Sequence, residues 1–153
     1  MPYRFPTAAL AATLLLGCGG DSSGPTSSIP AELVGNWIAE PACLPICGWT
    51  LTSSTDPEVS LNFVDDPLFI TVGVGIESDA DFELSFSGQS APERGTLRVQ
   101  GQMMIITADA GTVDTADYHI QGGYLHMQLR KEYAFSVGGQ AHSGRPAGVF
   151  ERQ

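Results

Sequence analysis

The sequence predicts an all-β domain laid out as a meander of short antiparallel strands. Three observations carry that prediction. After Gly48 the apolar residues recur at every second position within each run, the period of a strand with one buried face. From Pro41 onward, the chain's 18 Gly and 10 Pro fall largely between those runs, where turns belong. Beyond the leader, no stretch sustains the period of an amphipathic helix. A length of 153 residues allows one domain. With 42% hydrophobic and 16% charged residues the chain has the composition of a globular protein, not a disordered one.

The chain opens as an export signal. Met1 to Pro6 carries one cation, Arg4, and no acid; Thr7 to Leu16 is an apolar core of signal-peptide length, too short for a permanent membrane span. That core closes on Leu15-Leu16-Gly17-Cys18, which resembles the lipobox of bacterial lipoproteins. The resemblance implies cleavage before Cys18, which then carries lipid on its thiol and on its new amino group. Small Gly17 gives the peptidase access to the bond, and the thiol is the nucleophile that is alkylated. A secretory signal with an incidental Cys is the plainer alternative; the order leader, box, polar tether favours the lipoprotein. On this expectation residues 1–17 are the signal peptide, 18–30 the lipidated Cys and flexible Ser/Gly/Pro tether, and 31–153 the folded domain. Gly rather than Asp after the Cys implies sorting to the outer membrane, so the expected location is the bacterial cell envelope. The expected membrane contact is the lipid anchor itself, since several acyl chains hold where one would not.

Lipidation of Cys18 leaves Cys43 and Cys47 as a pair. In an oxidising envelope these are expected to form a disulfide across the Pro-containing loop Pro41–Gly48. A zinc site lacks the further ligands it needs, and the spacing is not the C-x-x-C of thiol oxidoreductases.

The strands follow in order. Trp49 and Leu51 alternate with threonines, and Val59, Leu61 and Phe63 with Ser60 and Asn62. Ile70, Val72, Val74 and Ile76 line one face; Phe82, Leu84 and Phe86 face inward while Asp81, Glu83, Ser85 and Ser87 face out. Residues 94–107 read as strand, Gly-containing turn, strand, which places Leu97, Val99, Met104 and Ile106 together. Residues 118–129 repeat the design around Gly122-Gly123, with Tyr118, Ile120, Leu125, Met127 and Leu129 inward. Alternation resumes at Tyr133, Phe135 and Val137; a Gly-rich loop through Pro146 is expected to lead to a last strand at 148–152. About eight to ten such strands either close into an up-and-down barrel or stack as a sandwich.

Leu33-Val34-Gly35-Asn36-Trp37 resembles the G-x-W entry motif of lipocalins and of bacterial lipocalin-like lipoproteins. The two hairpins are similar to the strand–Gly–strand repeats of the latter, and Thr115-Ala116-Asp117-Tyr118 is loosely similar to a T-D-Y motif. The resemblance spans roughly Ala31 to Arg152 and implies a small barrel. It also implies that Trp37 plugs the closed end and that an Arg on the last strand, here Arg152, packs across it. The chain departs from larger lipocalins in ending at that strand, without their C-terminal helix.

The function classes narrow accordingly. A net charge of −10, with seven scattered Lys and Arg, excludes nucleic acid as the expected partner; removing a leader that holds Arg4 and no acid takes the charge to −11. No cofactor is expected. Ser-x-x-Lys does not occur, and Gly20-Asp21-Ser22-Ser23-Gly24, which has the letters of Gly-x-Ser-x-Gly, falls in the polar tether rather than between a strand and a helix, so the protein is not expected to be an enzyme. His119 and His126 would face each other across the second hairpin, on its outer face. With no third ligand in view they are expected to be an exposed pair, not a metal site. His142 falls in the Gly-rich segment. The acidic stretches Asp65-Asp66 and 77–81 lack the spacing of a calcium loop and read as turns. The resemblance to lipocalins implies a binding module holding a small hydrophobic ligand, with Val72, Phe82, Leu84, Leu97, Tyr118 and Met127 as candidate lining residues. The alternative is a protein-binding or structural envelope lipoprotein. Small barrel lipoproteins that inhibit secreted proteases resemble this chain, with G-x-W followed by a disulfide.

Overall fold

The computed structural model describes residues 29–62, 71–88 and 90–153. Cys18, the leader and most of the tether therefore lie outside the described residues, as do Phe63, Asp65, Asp66 and Ile70. Eleven strands form among the described residues. They are β1 (Gly35–Ala39), β2 (Gly48–Ser53), β3 (Ser60–Asn62), β4 (Val72–Ile76), β5 (Asp81–Phe86) and β6 (Glu93–Gln100). There follow β7 (Met103–Ala108), β8 (Val113–Gln121), β9 (Tyr124–Leu129), β10 (Tyr133–Val137) and β11 (Gln140–Arg152).

Eight of these close a ring in the order β1-β4-β5-β6-β7-β8-β9-β11, with β11 pairing back onto β1. From β4 to β9 each strand lies beside its successor, the up-and-down arrangement of an antiparallel barrel. Closure is made where Trp37 lies opposite Arg152 and Ile38 opposite Glu151. It removes the free edges that an open meander of this length would leave. Strands β2, β3 and β10 extend the sheet from β11 outside the ring.

The expected alternation holds along the ring. Val72, Val74, Ile76, Phe82, Leu97, Met104, Leu125 and Met127 point inward and are buried, with Leu84, Val99, Ile106 and Ile120 half-buried beside them. The two hairpins turn as their sequences require. Gln100 pairs with Met103 across Gly101-Gln102, and Gln121 with Tyr124 across Gly122-Gly123. Gly122 and Gly123 have φ of 62° and 87°, the left-handed pair that matches the twist of a two-residue hairpin.

The last strand corrects the sequence expectation. No loop runs through Pro146; Gly138-Gly139 makes a two-residue turn, and β11 continues unbroken for 13 residues. It does so because it has partners on both edges. One edge pairs with β10 up to Gly144 and with β9 from Ala147; the other pairs with β2 from Gly144 to Val149 and then with β1. Pro146, which has no N–H to donate, sits in the gap between the β10 and β9 ladders. Gly148 is there for close approach, because a Cβ at that position would lie 2.2 Å from the Trp49 ring and 2.6 Å from that of Phe150. Those two rings pack tilted, with centroids 5.6 Å apart.

Strands β1 and β2 run as one interrupted strand along β11. Ile38 lies opposite Glu151 and Gly48 opposite Val149, so the chain leaves the ladder after β1 and re-enters nearly where it left. The Cys43–Cys47 disulfide pins the excursion between them, with the two Cα atoms 5.3 Å apart.

Candidate binding surface on the outer wall

The G-x-W stretch builds the closed end from backbone upward. Inward parity on β1 buries Trp37 to 2% exposure. Its indole N–H donates to the Leu33 carbonyl at 2.9 Å, which satisfies the one polar atom the ring takes into the core. The Arg152 guanidinium lies over the indole, 5.3 Å from the ring centroid, and also donates to the Val34 carbonyl. Gly35, at φ 141°, lets that guanidinium approach, since a Cβ there would come within 3.2 Å of Arg152 Nε. Leu33, Val34, Trp37 and Arg152 are thus bonded or packed to one another at this end.

The six candidate lining residues share the inner surface of the ring. Val72, Phe82, Leu97 and Met127 are each 5% exposed or less and belong to the continuous core with Trp37, Met104, Leu125 and Phe150. Leu84 and Tyr118 pack half-buried against it. The Tyr118 hydroxyl donates to the Gly101 carbonyl at 3.1 Å, and burial raises its pKa above the usual phenol value. An eight-stranded ring encloses a space that side chains alone can fill, and among the described residues the buried cluster lies there.

Open space also lies outside the ring. A groove of about 690 Å³ runs along the outer wall where β8, β9, β11 and β2 meet the stapled loop. Its floor is made by small outward residues, Gly48, Thr50, Ala147 and Val149, which alternate with the inward Trp49, Leu51, Gly148 and Phe150. One bank is the disulfide loop, Leu44 to Cys47; the other carries His119, His126 and Gln128. Leu44 and Ile46 are 49% and 54% exposed, two of the three large hydrophobic side chains that stand open among the described residues.

On the far bank His119 and His126 lie directly opposite each other across the β8–β9 hairpin. Their rings are stacked, with centroids 4.4 Å apart and planes 9° from parallel. Partial burial, and then the neighbouring His119, lower the pKa of His126 below the ordinary imidazole value. Asp117, the next outward residue on β8, is gripped by Arg130 through both carboxylate oxygens, at 2.9 and 2.5 Å. That guanidinium holds its carboxyl below the usual range. His142 is in strand β11 rather than a loop, its ring tilted against Phe135 at 5.5 Å.

Other chemistry-bearing groups are used locally. Among the described residues, Cys43, Cys47 and Glu151 cluster closely enough to suggest a metal, but both sulfurs are committed to the disulfide. The segment 77–81 is a tight turn in which Ala80 N–H donates to Glu77 and Glu77 N–H to Asp81. Tyr133 donates to Asp114 at 2.5 Å; burial first, and then that carboxylate, push its phenol well above the usual value.

Of the sequence's candidate lining residues, Tyr118 and Met127 border the groove; sequence reasoning missed the groove itself and both of its apolar rim residues. The one signal was Leu44-Pro45-Ile46, two aliphatics held between cysteines in a loop too short to bury them. Comparison with family models, curated proteins and solved structures finds no match to this chain.

Proposed function

We propose that this is a lipid-anchored lipoprotein of the bacterial envelope whose barrel is a rigid binding module that docks an apolar segment of a partner protein on its outer wall. One observation carries the reading: Leu44 and Ile46 stand about half exposed on a disulfide-stapled loop beside a groove of about 690 Å³, while Val72, Phe82, Leu97 and Met127 are buried in the core. A loop held in place before binding loses little entropy on docking, so two exposed aliphatics can act as anchors. The anchor rests on the lipobox at Cys18, with the tether to Pro30 giving the domain reach from the membrane surface.

The test is a photo-crosslinker placed at Ile46 in the lipidated protein in intact envelopes. A discrete protein adduct that Leu44→Asp abolishes is the expected result. Lipid extraction and native mass spectrometry run alongside. A co-purifying small hydrophobic molecule, displaced by the space-filling change Leu97→Phe, with no protein adduct, would overturn this reading in favour of a ligand inside the barrel. For the anchor, Cys18→Ser should remain unlipidated and leave the membrane fraction; unchanged attachment refutes it.

A further inference from the structure

We propose that His119 and His126 together bind a late first-row divalent metal ion, Cu2+ most tightly, on the outer wall beside the groove. The two imidazoles need no rearrangement of backbone to act as a pair, because the hairpin register sets them directly opposite on neighbouring strands. Their rings already face each other at 4.4 Å. Two metal–nitrogen bonds of about 2.0–2.1 Å reach across about 4 Å. Because each lone pair lies in its ring plane, both side chains must rotate out of the stacked arrangement to turn one nitrogen of each onto a shared ion, a rotamer change that the fixed backbone register allows. Neither ring makes a hydrogen bond or ion pair among the described residues, which leaves the nitrogen lone pairs uncommitted. Imidazole suits copper, nickel and zinc, and the order of affinities among these ions favours Cu2+. The net charge of −10 raises the local concentration of cations at the surface.

The site takes two ligands from the protein. Asp117 lies on the same outward face of β8, but Arg130 holds both of its oxygens. The remaining coordination positions therefore open toward the groove, to water or to a donor atom of whatever lies there. Sequence alone could not reach this point. It showed two His across a hairpin, whereas stacking, lack of other partners and the adjoining groove belong to the folded wall. The proposal does not depend on what the groove docks.

The experiment uses the tag-free full chain in detergent, stripped with a chelator and titrated with Cu2+ by calorimetry and followed by electron paramagnetic resonance. One ion per chain should bind in the micromolar range or tighter, with a spectrum showing two imidazole nitrogens. His119→Gln and His126→Gln should each weaken binding roughly tenfold or more, a loss at least as large as removing a metal's outer-shell partner. His142→Gln should leave it unchanged. In the unaltered protein, substoichiometric Cu2+ should broaden the ring signals of His119 and His126 before all others, a measurement that needs no variant. Binding retained in both histidine variants, an equal loss in His142→Gln, a single-nitrogen spectrum or uniform broadening would each overturn the proposal.

Discussion

At the scale of single residues, the barrel depends on side chains whose size or polarity has one solution. Trp37 satisfies its N–H on Leu33 and receives Arg152 over its face, a cation–π contact of the kind that contributes about 0.5–2 kcal/mol. Gly148 leaves no room for a methyl group, since its Cβ would overlap the rings of Trp49 and Phe150. Gly148→Ala should therefore lower stability by about 1–3 kcal/mol through overpacking, read as a fall in the urea midpoint. An unchanged midpoint would mean the two rings move aside freely. Tyr133 sets a pH limit. Its folded-state pKa lies above the unfolded phenol value because burial, and then the bond to Asp114, favour the neutral form. That contribution is complete below about pH 10 and is lost as pH rises through the folded pKa, since the unfolded chain releases its proton first. Urea midpoints between pH 9 and pH 11 should fall for the unaltered protein and fall less steeply for Tyr133→Phe; parallel curves would exclude Tyr133 as the cause.

At the scale of elements, the disulfide loop is an interruption in a strand. β1 and β2 follow the same edge of β11, and the excursion between them is held to a 5.3 Å neck by Cys43–Cys47. For so short a loop, cross-linking restricts the unfolded chain by about 2 kcal/mol. The double variant Cys43→Ser/Cys47→Ser should lose about that much stability while the barrel keeps its far-ultraviolet dichroism. It should also make residues 40–47 more susceptible to limited proteolysis than they are in the parent. A variant as protease-resistant as the parent would show that the prolines alone hold the loop. Strand β11 is the second element that matters here. Its length follows from its pairing on both edges; Gly144 lets the Thr52 carbonyl of β2 come close, and Gly148 leaves room for the rings of Trp49 and Phe150.

At the scale of the molecule, one core unites the ring. Trp37, Trp49, Phe82, Leu97, Leu125 and Phe150 belong to a single buried cluster, and closure joins residue 37 to residue 152. A ring closed by its first and last strands has no separable half. Unfolding followed by tryptophan fluorescence and by dichroism should therefore give coincident transitions. A fluorescence change preceding loss of strand signal would mean that the β1–β11 seam opens alone. Closure between chain ends this far apart also makes folding slow relative to helical domains of similar size.

By itself the sequence determined the class of fold, the faces of the strands and the turns of two hairpins. Those features are local: a period of two needs only neighbouring residues, and Gly122-Gly123 needs only its own backbone. The disulfide was equally legible from a pair of cysteines too close to do much else. Closure into a barrel is what the resemblance of Gly35, Trp37 and Arg152 implies, and the ring bears it out; only the tertiary structure decided which strands close it, that Pro146 belongs inside a strand, and that a groove lies on the outer wall. Each of these depends on pairs far apart in the chain. Pro146 is tolerated because β9 and β10 leave a gap beside it, and the groove exists because small residues of β2 and β11 meet between a stapled loop and two histidines. No pattern within any one of those segments states where the others will lie.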